Sequence, residues 1–129
     1  MLLKRIGYIP DEIDVPDIDE FIKQGEKPGP YVIRMARNKA KIVSKRHKNS
    51  YIIAADTVIF SGAKIYGKAS NKEEALKVLK QLSGKKHKVY GGICIISPNK
   101  NIALKTIITQ VSFRIINQEE IYDLSLIHI

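Results

Sequence analysis

One run of ten residues, 51–60 (Tyr-Ile-Ile-Ala-Ala-Asp-Thr-Val-Ile-Phe), constrains this chain more than any other stretch. Its length and its β-branched content suit a buried strand. Asp56 interrupts it. A carboxylate in such a run costs several kcal/mol of desolvation unless it is paired, hydrogen-bonded or bound to a metal. Two readings follow. In the plainer one the strand ends at Ala55, and Asp56 caps a turn with Thr57. In the other, Asp56 stays in the strand as a functional acid. The continuation favours the second: Val58, Ile59 and Phe60 resume the apolar run, Ser61-Gly62 is a turn pair, and Ile65-Tyr66 reads as a returning strand. Gly67 then sets Lys68 just beyond that hairpin. A carboxylate on one strand and a lysine after the next can face one crevice, and α/β proteins hold phosphates at the ends of strands.

Upstream, residues 1–6 read as the last turns of an amphipathic helix closed by Gly7, and residues 8–15 as a strand punctuated by Pro10 and Pro16. An acidic cluster follows: Asp11, Glu12, Asp14, Asp17, Asp19 and Glu20. It is either a solvated loop or a set of oxygen ligands for a hard cation. Residues 21–30 read as a loop. A helix is expected from Tyr31 to Arg46, with Val32, Met35, Ala36, Ala40 and Val43 as its apolar stripe. Lys39 lies on that stripe, and its head either snorkels to water or enters a cleft. After the hairpin, Ser70 and Glu73 fit a capping box. The helix it opens buries Ala75, Val78, Leu79 and Leu82 and ends at Gly84. Lys85-Lys86-His87-Lys88 reads as a solvated turn in preference to an anion-binding patch, and strands over 88–97 and 102–116 and a last helix capped by Asn117 follow. The order predicts an α/β domain with a mixed, twisted sheet flanked by helices.

The 129 residues, 44% of them apolar, suffice for one globular domain. No apolar run is long enough to span a bilayer and no signal-peptide pattern is present. Cys94 sits in an apolar run, so it reads as a buried core residue in a reducing, cytoplasmic setting. The net charge of +9 favours polyanionic partners. Zinc spacings, a Walker loop, an RNA-recognition signature and a helix-turn-helix pattern are all lacking.

Several stretches, in this order, resemble the Maf family of nucleotide pyrophosphatases. They are Asp17-Ile18-Asp19-Glu20; Arg34-Met35-Ala36-Arg37-Asn38-Lys39-Ala40; Ala54-Ala55-Asp56-Thr57-Val58; Gly67-Lys68; Glu74-Ala75 through Leu82-Ser83-Gly84; His87-Lys88-Val89; and Val111-Ser112-Phe113. The likeness runs to about Tyr122, which makes residues 1–122 a partial Maf-like domain and residues 123–129 a tail foreign to the family. It implies a Maf/ITPase-like sheet that lacks the family's first strand, its phosphate loop and its C-terminal part. At single positions, Ala69 stands where the family favours Pro and Gly91 where it favours Thr.

The resemblance implies a cytoplasmic nucleotide diphosphatase. Such an enzyme hydrolyses nucleoside triphosphates to the monophosphate and diphosphate with Mg²⁺ or Mn²⁺, and clears non-standard nucleotides. By motif position Asp56 is the proton acceptor, Lys39 and Lys68 contact phosphate, and Asp19 is an acidic active-site residue; Asp56 and Asp19 are the candidate metal ligands. The expected partner is a nucleoside triphosphate, with a homodimer allowed and neither membrane nor nucleic acid expected. A carboxylate beside a divalent ion can activate water, and two lysines can hold the charge of the phosphates. Two other readings remain open: a basic, non-catalytic nucleic-acid-binding module, which would bind with a steep salt dependence, and an inactive fragment.

Overall fold

The structure is a computed structural model that describes residues 5–127. Its elements are α1 (Pro28–Arg46), β1 (Ile52–Ser61), β2 (Lys64–Tyr66), α2 (Lys72–Leu82), β3 (Lys86–Ile96), β4 (Ile102–Ser112) and α3 (Gln118–Ile127). The four strands form one sheet in the order β2-β1-β3-β4, antiparallel at each described pairing. With the helices this is the α/β class the sequence predicts, with antiparallel pairing among the described strands where a mixed sheet is expected from sequence. β1 and β3 are central, and their ladder runs from Ile52↔Ile96 to Phe60↔Lys88. The β1–β2 turn passes through Gly62 and Ala63, both at positive φ (54° and 68°). Two-residue turns of that hand match the twist of the strands they join.

Helix α1 begins at Pro28, three residues before the expected Tyr31. Pro28-Gly29-Pro30, read from sequence as loop, is its first turn. A proline at the first helical position loses no hydrogen bond, and its φ is already helical. Val32, Met35, Ala36 and Ala40 are buried as their spacing predicts, and Val43 is half-buried. Full burial of Val32 and Met35 contributes roughly 1.5–3 kcal/mol each.

The helix packs on the sheet as two clusters. Ala36 and Ala40 meet Ile52, Cys94 and Ile96; Tyr31, Val32 and Met35 meet Val58. Between them lies the rung Asp56↔Gly92, flanked by Ala54↔Cys94 and Val58↔Tyr90. There the helix backbone rests on the sheet: a Cβ on Gly92 would stand 2.6 Å from the carbonyl carbon and oxygen of Val32. Only glycine admits so close an approach.

Several expectations are corrected. Residues 8–15 form no ladder among the described residues. Instead Asp14 accepts from Arg46 Nη1 at 2.7 Å and lies 3.0 Å from His47 Nε2. Part of the acidic cluster is therefore a tether to the end of α1. The cap of α2 is Asn71, one residue beyond Ser70. Its Oδ1 accepts from the Glu74 N–H at 2.8 Å, and Glu74 reaches back to the Ser70 N–H at 2.8 Å. Ala75 and Leu82 are buried, but Val78 and Leu79 are only half-buried.

The basic run 85–88 is mostly strand, because β3 starts at Lys86. Strand alternation turns His87 inward between two exposed lysines. Its ring meets Phe113 edge-on at 4.7 Å, and burial lowers its pKa. β4 ends at Ser112 rather than residue 116. The chain then folds back on the end of α2, where Gly84 N–H donates to Arg114 O at 3.1 Å and Ile116 N–H to Ser83 Oγ at 2.7 Å. Asn117 caps α3 as expected, accepting from the Glu120 N–H at 2.8 Å. Cys94 is fully buried. Gly7 has the positive φ of a helix terminator, 89°. Residues 1–4 of the expected first helix and 128–129 of the tail lie outside the described residues.

Candidate active site

Asp56 stays inside β1, paired with Gly92, so the reading of it as a turn cap is wrong. It shares the helix-facing side of the strand with Ile52, Ala54 and Val58. Its side chain is 15% exposed. The charge is met by Lys39, whose Nζ donates to Asp56 Oδ1 at 2.9 Å. Two features place that lysine. It follows Val32 by two turns on the buried stripe, and helical side chains lean toward the N-terminus. Because α1 rests directly on Gly92, the ammonium is laid against β1. Lys39 therefore turns its ammonium to Asp56 rather than out to water alone. Among the described residues, no hydrogen bond uses Asp56 Oδ2.

A second carboxylate reaches the same lysine: Glu20 Oε1 lies 3.9 Å from Lys39 Nζ. Glu20 was not among the predicted site residues; its neighbour Asp19 was. Asp19 forms a local turn, with Oδ1 accepting from the Phe21 N–H at 3.1 Å. The acidic cluster was the available signal, but a one-residue choice within a loop depends on tertiary contacts. Tyr31 is one such contact, donating from its hydroxyl to Glu20 O at 2.7 Å. Burial first, then the carboxylates of Asp56 and Glu20, raise the Tyr31 pKa and keep the phenol protonated.

Lys68 stands two residues after the end of β2. It is exposed beyond β2 and lines a hollow of about 240 Å³ with Tyr66, Glu74, Lys77 and Gln81. Among the described residues, no ion pair or hydrogen bond joins it to Asp56 or Lys39. A larger hollow of about 440 Å³, at the far end of α1, is lined by Lys41, Lys45, Lys48 and Lys100 and holds none of these site residues. Of the four residues predicted from sequence, then, the structure brings Asp56 and Lys39 into contact and adds Glu20.

The family model for Maf-like proteins matches residues 1–125. This chain belongs to the Maf family. Among curated proteins, this Maf chain is 37% identical over 120 residues to a nucleoside triphosphate pyrophosphatase of Ehrlichia canis (strain Jake), covering 93% of the chain and 62% of that protein. It is 39% identical over 119 residues to a dTTP/UTP pyrophosphatase of Paramagnetospirillum magneticum (strain ATCC 700264 / AMB-1), covering 92% and 63%. The chain thus spans about three fifths of the length of these relatives. A solved nucleoside-triphosphatase / dITP/XTP pyrophosphatase of Mycobacterium abscessus overlays on 86% of this chain and 63% of its own at 13% identity and a TM-score of 0.47, too distant to support an argument.

The cluster places two acids around one ammonium, Asp56 from the inner face of the sheet and Glu20 from a loop. Among the described residues, no group of three or more histidine, cysteine or acidic side chains could hold a metal. That does not conflict with a magnesium-type ion, which takes one or two carboxylates and completes its shell with phosphate oxygens and water. Glu20 and Asp56, on either side of Lys39, fit that demand. No described helix is long and apolar enough to cross a membrane.

Proposed function

We propose that this Maf protein hydrolyses nucleoside triphosphates at the α-phosphorus, releasing the nucleoside monophosphate and diphosphate. Water oxygen bonds to the α-phosphorus, the bond from that phosphorus to the bridging oxygen breaks, and diphosphate leaves with the electron pair. Asp56 takes the proton of the attacking water on its second oxygen. Lys39 holds Asp56 in place and, with its remaining N–H groups, offsets charge that grows on the α-phosphate oxygens. Lys68, on the loop after β2, is the candidate for the departing diphosphate. A divalent cation held by Asp56 and Glu20 would polarise the phosphate oxygens. The cytoplasmic nucleotide pool is the setting this reading implies.

The observation that carries the proposal is the Lys39–Asp56 pair, 2.9 Å apart, in an otherwise apolar helix–sheet interface of a Maf chain. The names of the relatives point to the same reaction, and to dTTP and UTP as the first substrates to try. The test is diphosphate release from a panel of nucleoside triphosphates with Mg²⁺ or Mn²⁺. The chain is expected to turn over at least one of them, and Asp56→Asn to lose at least about 100-fold, the lower bound for a general base. An Asp56→Asn variant with unchanged turnover would refute the assignment.

A further inference from the structure

Glu20 lies in a loop and its side chain is 61% exposed, yet its carboxylate stands beside Lys39. The Asp19 carboxylate closes a turn around Glu20, and two side chains of α1 fix that turn to the helix. The Tyr31 hydroxyl donates to the carbonyl of Glu20, and Arg34 Nη2 donates to the next carbonyl, that of Phe21, both at 2.7 Å. The same guanidinium grips Glu26 as a fork, Nε to Oε2 at 2.8 Å and Nη2 to Oε1 at 2.7 Å. Glu26 Oε1 also accepts from the Lys23 N–H at 3.0 Å, closing the loop on itself. Tyr31 and Arg34 are one helical turn apart, with the guanidinium 5.6 Å over the Tyr31 ring. Both ends of residues 20–26 are thus fixed to the helix that carries Lys39.

We propose that Tyr31 and Arg34 are positioning residues, which hold residues 20–26 against α1 so that the Glu20 carboxylate shares the Lys39 ammonium with Asp56. The catalytic consequence rests on the function proposed above; the clamp does not. With the loop held, the site has two carboxylates for one ammonium. With the loop released it has one for one, and the excess negative charge that would attract a divalent cation is gone. The fork is specific to arginine, because a lysine cannot bridge both oxygens of Glu26 and a carbonyl from one planar group.

Two measurements on the full chain decide this. The first is zero-length carbodiimide crosslinking, with the Glu20–Lys39 amide counted by peptide mass spectrometry. The native chain is expected to give this link, and Tyr31→Phe and Arg34→Lys to reduce it several-fold while still melting cooperatively. An unchanged yield in both variants would overturn the proposal. This readout needs no turnover, so it stands apart from any failure of the functional reading.

The second is a double-mutant cycle on diphosphate release. Tyr31→Phe and Arg34→Lys should each lower kcat/KM about tenfold, less than the hundredfold a full ångström of misplacement costs. Added to Glu20→Gln, either should lower it no further, since both act through Glu20. A purely structural role would leave the effects multiplicative, and that result would also overturn the proposal.

Discussion

β1 and β4 are nearly equal in length and composition, and they stand in opposite surroundings. β1 is central, with its inner face under α1: Ile52 is 7% exposed and Val58 3%. β4 is the outer strand, and Ile102, Leu104, Ile107 and Ile108 are 40–56% exposed across both its faces. An apolar, β-branched run therefore predicts a strand in each case and burial in only one. The charges are what separate them. Lys105 on β4 meets water, while Asp56 on β1 is held by a lysine brought to it on a helix. A carboxylate in a strand reports on function only where the structure has also supplied its partner.

The largest test of this contrast is at two adjacent glycines of β3. Gly92→Ala drives a Cβ into the backbone of Val32 and should cost at least about 3 kcal/mol, the top of the overpacking range, because no side chain can rotate aside. Gly91→Ala meets only Ile107 O at 3.9 Å and should stay within about 0.5 kcal/mol of the native protein in urea unfolding. Equal effects would mean that α1 does not rest on the sheet at Gly92. Next comes a matched pair on the two strands. Val58→Ala should cost about 2 kcal/mol in transfer and cavity terms. Ile108→Ala on β4 should cost under about 0.5 kcal/mol. A comparable loss at Ile108 would show that β4 is covered in solution.

The smallest effect is in acid. Hydrogen bonding from Arg34 holds the Glu26 carboxyl at about 2, below its ordinary 4.5. A carboxyl depressed on folding stabilises the fold above its unfolded value, and loses that contribution as the pH falls through the window from 4.5 to 2. Amide protection over residues 20–26, taken relative to the intrinsic exchange rate at each pH, should fall across that window before that of the helix–sheet core. Simultaneous opening of both would contradict the clamp as a separate unit.

What the sequence shows of this site follows from range. Asp56 is visible because a charge in an apolar run is costly wherever the run is buried, and Lys39 because it falls on a helical stripe. Both are consequences of periodicity. Glu20, Tyr31, Arg34 and Glu26 are joined across a loop by bonds to two backbone carbonyls and by a carboxylate fork, which no spacing rule encodes. Pro28 and Pro30 look like breakers but start α1, because the first turn needs no donor. His87 is concealed for a related reason: in a basic run, period two buries every second residue without changing the composition.

On the proposed mechanism Lys39 and Asp56 form a working site and not a structural ion pair. Replacing both partners of a buried pair with neutral groups of similar size is often neutral or stabilising. The decisive measurement is diphosphate release by Lys39→Met/Asp56→Asn, read beside its melting temperature. The double variant is expected to melt at or above the native temperature and to release no diphosphate. Turnover close to that of the native chain would contradict it.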